Sequence, residues 1–386
     1  MIKFNISNAL LVEMEEKHIN SLKHNISSAI AFHKEYYCSD ENYIKLLSYI
    51  EKELNVILCG KINDLKKIIY HIEKNFYIAP GKLTKISEGA KYKNIKGDRR
   101  EYIQSYIEEK NLDVHLLEAK DSYEYLKDFK AGISELKNLW ESYSDQLSQI
   151  FNYSEFIKFK GEWKAYDLVQ HLGISVCPYC NRQYINTLIK EEKRARAVLD
   201  HFYAKSLYPY LALSLYNLIP CCYFCNSTFK GDKDFYNNES LYPYEEGFSN
   251  YAKFETDFED QKPYDYRYLL GLSDNFKIKI SIDENRTDPD KVKKIERSKE
   301  VFHLEDMYSF HRDYVKDLIR SMVINDKSRI DEIYETYEGA FQSREEVMQI
   351  LFLNYIEEIN FGKRPLSKLT QDIFEELNSI YNYQFN

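Results

Sequence analysis

Apolar residues recur at three-to-four spacing through 9–37, 41–57 and 61–76, as in NYIKLLSYIEKELNVIL. That rhythm predicts amphipathic helices, each with one buried stripe. It returns over 101–109 and across 122–150. Between these stretches APGK at 79–82 breaks the pattern, and LTKISEGAKYKNIKGDRR, 83–100, is polar and basic. This reads as a loop, with contact to phosphate as the alternative role. In GEWKAYDLVQHLGI, 161–174, Trp163, Tyr166, Leu168, Val169 and Leu172 share one face and Gly173 supplies a helix stop. VLDHF, 198–202, reads as a strand running into a polar end, and FKIKISI, 276–282, alternates like a strand. The stretch from Asp288 to Ile324 predicts two helices, the first started by Asp288 or Asp290. The tail predicts one more short helix behind Pro365. No internal repeat is visible.

Composition narrows the class. A chain of 386 residues, 44% apolar and 30% charged, can bury a sizeable interior, and 12 Gly with 8 Pro favours long helices over many short strands and turns. The reading is therefore mainly α in three parts: a helical N-terminal domain over 1–150, a small module within 151–240, and a mostly helical region over 241–386 packing on that module. The opening MIKFNISNALLVEMEEK lacks a basic region followed by an apolar run, and no window approaches a membrane span. A cytoplasmic protein with no membrane partner is expected.

Net charge is −9, which argues against a nucleic-acid partner until it is resolved along the chain. Residues 177–233 carry eight basic and four acidic side chains, a net +4 that leaves −13 for the rest. A basic module on an acidic body can meet a phosphate backbone while the body discourages indiscriminate binding.

Five of the seven cysteines fall between 177 and 225. Cys38 and Cys59 read as ordinary buried thiols. Cys177 and Cys180 form one C-x-x-C, and Cys222 and Cys225 another. Two such knuckles build a tetrahedral four-cysteine zinc site, which leaves no position for water, so the Zn2+ is expected to be structural. Cys222 is preferred as ligand for its spacing to Cys225, with Cys221 the alternative.

Between the knuckles the chain carries Asp200-His201, then Asn217, and directly after the last cysteine Asn226. This order resembles the HNH endonuclease family, whose ββα-metal module has two strands, a long connecting loop and a helix around one divalent ion. The resemblance covers 177–232. It implies that His201 is the general base, Asp200 an acidic metal ligand, Asn217 the residue tying down the loop that carries the base, and Asn226 the last metal ligand. The family often has histidine at that last position. The implied catalytic ion is Mg2+ or Mn2+, which suits a carboxylate and an amide oxygen, and the implied substrate is DNA. Lys205 and Lys230 are candidate phosphate contacts, Lys230 because it lies four residues after Asn226 on a helix. Tyr203, Tyr208, Tyr210 and Tyr216 read as core, with base stacking as the alternative.

NRQY after the first knuckle, FHLEDMYSFHRDYVKDL and KRPLSKLTQDI also look like larger bacterial HNH proteins, including nuclease subunits of anti-phage systems such as Septu that work beside an ATPase. An ATPase partner is the corresponding expectation. His311, on a helical stretch, reads as structural. Two rivals remain open: an RNA-directed nuclease, since such a site grips phosphate and does not itself read the sugar, and a catalytically silent zinc module that binds nucleic acid or protein.

Overall fold

The computed structural model describes residues 1–78, 126–158, 162–190, 193–257 and 266–381. The basic stretch 83–100 and the helical expectation over 101–109 lie outside the described residues. The architecture is mainly helical, with three small two-stranded antiparallel sheets among the described residues. No helix among them is long and apolar enough to cross a membrane.

The N-terminal helices follow their apolar stripes. Helix α1, Asn8–Tyr36, is started by the Ser7 side chain accepting from the Leu10 amide, and it buries Met14, His18, Leu22, Ile26 and Ile30 at four-residue intervals. The segment expected as one helix over 41–57 is two: α2, Glu41–Lys52, and α3, Leu54–Cys59, with α4 at Ile62–Asn75. A long helix at Leu126–Ile150 and short ones at Tyr153–Phe156 and Ala165–Leu172 lead into the cysteine region, and Gly173 ends the last of them at φ 62°. That left-handed turn is the one the sequence reading placed at this glycine.

The strands come in three pairs. The first, β1 (Leu188–Ile189) and β2 (Arg194–Ala195), makes a small hairpin. The second pair, β3 (Val198–His201) and β4 (Leu218–Cys221), is antiparallel, with Asp200 opposite Ile219 and His201 opposite Leu218. The third, β5 (Ala252–Asp257) and β6 (Lys277–Ile282), contains the expected alternating strand and packs against the C-terminal helix Ser367–Tyr381. Asp288 caps the helix Pro289–Val301, accepting from the amides of Asp290 and Lys291. The two helices expected from there to Ile324 are interrupted. The chain turns at His303, φ 47°, and makes a short helix, Leu304–Tyr308, before Arg312–Ile324. Phe302, fully buried and stacked on Tyr179 at 4.4 Å, holds the chain at that turn.

One apolar cluster runs through the N-terminal helices, the cysteine region and the C-terminal helices, including Leu46, Ile69, Leu218, Ile319 and Leu369. The three parts of the chain thus share an interior. Tyr203, Tyr208, Tyr210 and Tyr216 are all buried in it, which settles them as core. Of the two remaining cysteines Cys38 is exposed, a correction, and Cys59 is half-buried.

Candidate active site and metal centre

The sulfurs of Cys177, Cys180, Cys222 and Cys225 lie within 4.8 Å of one another and all four residues are buried. Each knuckle is built by its own backbone. The Asn181 amide donates to the Cys177 carbonyl at 2.8 Å and the Asn226 amide to the Cys222 carbonyl at 3.1 Å. The contacts divide the thiols: Cys177, through burial, and Cys225, through its bonds to the other three, are pushed up, while Cys180 and Cys222 are pulled down by Cys177. Four such sulfurs cannot all ionise together without a cation, and a divalent soft-ligand ion fits the donor set. Cys222 belongs to the tetrad. Cys221 does not; it ends β4 as a separate buried thiol.

Two remote segments converge on NRQY and the first knuckle. Asn181, at φ 49°, donates from its side chain to the Phe361 carbonyl at 3.0 Å and accepts from the Lys368 amide at 3.0 Å. Tyr308 donates to the Cys180 carbonyl at 2.7 Å, and the Arg182 Nε donates to His311 Nε2 at 2.9 Å. NRQY, the 302–318 stretch and the tail are therefore a brace for the cysteine knuckle, and His311 is part of that brace.

His201 ends β3. Its Nε2 donates to the Ala212 carbonyl at 3.0 Å, so in the neutral ring Nδ1 carries the lone pair. Burial, ahead of the charges of Lys205 and Lys230, pulls its pKa down to about 3, and the ring is neutral at ordinary pH. Asn217 holds the connecting loop closed: its side-chain oxygen accepts from the Tyr203 amide at 2.7 Å while its amide donates to the carbonyls of Tyr203 and Leu211. This is the loop-tying contact expected of it. The same loop rests on α1, where His18 Nε2 donates to the Leu213 carbonyl at 2.6 Å and His18 Nδ1 accepts from Trp163 at 2.9 Å.

His201, Asn226, Lys205 and Asp200 border one cleft of about 650 Å³. Asn226 is half-buried there, and Lys205 is exposed with its Nζ 4.9 Å over the ring of Tyr153. Two expectations need correction. Neighbouring residues of a strand point to opposite faces, and the Asp200 carboxylate, 2% exposed, is taken up on both oxygens: Tyr179 donates to one at 2.6 Å and the Lys230 ammonium sits 3.0 Å from the other. In this arrangement both Asp200 oxygens are engaged inside the protein, and of the two expected donors for Mg2+ or Mn2+ Asn226 is the one whose side chain is open to the cleft. Lys230 is 1% exposed and donates to the His201 carbonyl at 2.6 Å, so it is an internal residue with no access to a phosphate. The helix Phe224–Lys230 is wider than an α-helix, its Gly231 amide reaching back five residues to the Asn226 carbonyl, and the buried Asp200 carboxylate and His201 carbonyl take up the Lys230 ammonium at its end.

Sequence reasoning missed Tyr153, Tyr166 and Arg196, which also border the cleft. Tyr153 meets the His201 ring edge-on at 4.6 Å, and the Arg196 guanidinium lies 5.4 Å over Tyr166. No short-range pattern marks them, and both tyrosines lie upstream of the first knuckle.

Two predictions arise here. Lys230→Ala is expected to destabilise the fold by about 3–5 kcal/mol, because it strands the Asp200 charge in the interior; an exposed phosphate-contacting lysine would cost within about 0.5 kcal/mol in the same urea titration. The second concerns pH. Burial pulls His18 down to about 4 from an ordinary 6.5. Below 6.5 the unfolded chain takes up a proton that the native state refuses until about 4, so this group removes stability as pH falls through that window. Asp372 and Glu376, raised by burial to about 6 and about 7, act in the opposite sense there. The comparison that isolates His18 is wild type against His18→Gln: between about pH 6.5 and 4.5 the variant should lose less stability, by roughly 1.4 kcal/mol per pH unit. Identical slopes would refute it.

Comparison of the chain with protein-family models, with curated proteins and with solved structures returned no match. The functional reading rests on the site itself.

Proposed function

We propose that this chain is a phosphodiester hydrolase of the HNH kind acting on DNA. The observation that supports the reading best is a neutral imidazole, pinned through Nε2 to the Ala212 carbonyl, sharing one cleft with Asn226 directly beside a four-cysteine cluster. His201 Nδ1 would accept the proton of the attacking water. Asn217 keeps the loop, and with it the Ala212 carbonyl, in register with the imidazole. The cysteine cluster, holding Zn2+, would set the position of Asn226 through the adjoining Cys225. A bound Mg2+ or Mn2+ supplies charge neutralisation at a phosphate, and Asn226 is the expected ligand whose side chain is open to it.

The test is digestion of plasmid DNA and of RNA, side by side, with Mg2+, with Mn2+ and with EDTA. DNA cleavage that EDTA stops supports the reading; preferential RNA cleavage moves the substrate to RNA. A zinc-loaded chain that cuts neither, alone or with an added ATPase subunit, would leave only the silent zinc module. Activity that appears only with such a subunit would place this chain as the nuclease of a two-part anti-phage system.

A further inference from the structure

Arg196 has no role in the reaction as described above, and its surroundings are unusual for a guanidinium. It is half-buried on the cleft wall, one Nη donates to the Ala197 carbonyl at 2.7 Å, and its Nε is buried with no hydrogen-bond partner. Among the described residues no carboxylate pairs with it. A guanidinium N–H left without an acceptor at the wall of an open cleft is free to make a strong charge-assisted bond to an anion entering that cleft.

Its neighbours point the same way. Tyr153 lies between Arg196 and Lys205, with the Lys205 ammonium over its face and His201 against its edge. Burial pushes the Tyr153 hydroxyl up to about 12, against the charge of Arg196 beside it, so it stays protonated and able to donate. Two carboxylates border the cleft: Asp200 is already neutralised by Lys230, and Asp232 is exposed at the rim on the Asn226 side. An anion at this wall meets cations and a hydroxyl and lies beside the imidazole.

We propose that Arg196, with Tyr153 and Lys205, grips a non-bridging oxygen of the phosphodiester and so presents the scissile linkage to His201. A guanidinium matches phosphate oxygens with parallel N–H groups, which an ammonium cannot reproduce. The inference rests on the nuclease reading for its place in the reaction, but its own content is binding, which can be measured without cleavage.

The experiment is binding of a labelled DNA duplex in Ca2+ buffer by wild type, Arg196→Ala, Arg196→Lys, Tyr153→Phe and Lys45→Ala, across a salt series, with zinc content and melting temperature recorded for each. Arg196→Ala should weaken binding roughly tenfold to a hundredfold and reduce the slope of log affinity against log salt by about one. Arg196→Lys should recover the slope but only part of the affinity. Tyr153→Phe should lose a few-fold, and Lys45→Ala, on the exposed face of α2, should bind as wild type does. The proposal is overturned if Arg196→Ala binds with wild-type affinity, if its loss of binding leaves the salt slope unchanged, or if wild type binds no DNA. Wild type that binds but never cuts, with Arg196→Ala still weaker, would refute the nuclease reading and leave the anion wall standing.

Discussion

His201→Ala is expected to reduce plasmid cleavage by roughly a hundredfold to ten-thousandfold, the range a positioned general base contributes. The magnitude follows from the way the ring is held. Its Nε2 hydrogen is committed to the Ala212 carbonyl, so the tautomer cannot rotate away from Nδ1. Burial keeps the ring unprotonated, so at neutral pH essentially every molecule carries the acceptor form. A base so strongly depressed is thermodynamically reluctant, and in the proposed reaction a phosphate settling beside it would raise it. The substitution removes one buried ring and one hydrogen bond, and the rest of the loop is still tied by Asn217. Zinc content should therefore stay at about one per chain, and His201→Gln provides a bulkier control for collapse of the site. A His201→Ala protein that is folded, zinc-loaded and as fast as wild type would end the general-base assignment.

The second large effect is structural. Cys177→Ser or Cys225→Ser should abolish stoichiometric zinc and cost several kcal/mol of folding free energy, since zinc binding at such a centre is worth on the order of 10 kcal/mol and is coupled to folding. In a chain of this size that corresponds to a fall in melting temperature of roughly 5 °C. The discriminating control is the neighbouring thiol. Cys221→Ser removes a buried sulfur that lies outside the tetrad, so it should keep one zinc per chain and lose only about 1 kcal/mol. Metal analysis by mass spectrometry alongside thermal melts reads both. If Cys221→Ser lost the metal and Cys222→Ser kept it, the assignment of the second knuckle would be wrong. Loss of the tetrad should also silence cleavage, because Asn226 takes its position from the knuckle that ends at Cys225.

The brace around the first knuckle and the α1 contacts with the connecting loop give the regions flanking the cysteine module a physical connection to it. The loop between β3 and β4 is gripped from within by Asn217 and from outside by His18. Changes far along the chain, at Asn181 or Tyr308, act on the same knuckle through backbone carbonyls and amides.

What the residues determine by themselves in this protein is whatever backbone geometry settles within a few positions. Apolar spacing marked α1, α2, α4 and the helix ended by Gly173, alternation marked β6, and the two-residue gap within each C-x-x-C marked the tetrad, including Cys222 over Cys221. Asn217 was legible only through the resemblance, which implies an asparagine that ties this loop. What the tertiary structure alone decided are pairings across long sequence separations. The partner of Asp200 is a lysine thirty residues away, at the end of the helix that follows the second knuckle. Tyr153 reaches the imidazole, and Arg196 the same cleft, from segments with no motif. Local periodicity fixes which face of an element is apolar, but not which charged side chain it will meet across the interior. That choice depends on packing, where a buried carboxylate takes the nearest cation the fold supplies.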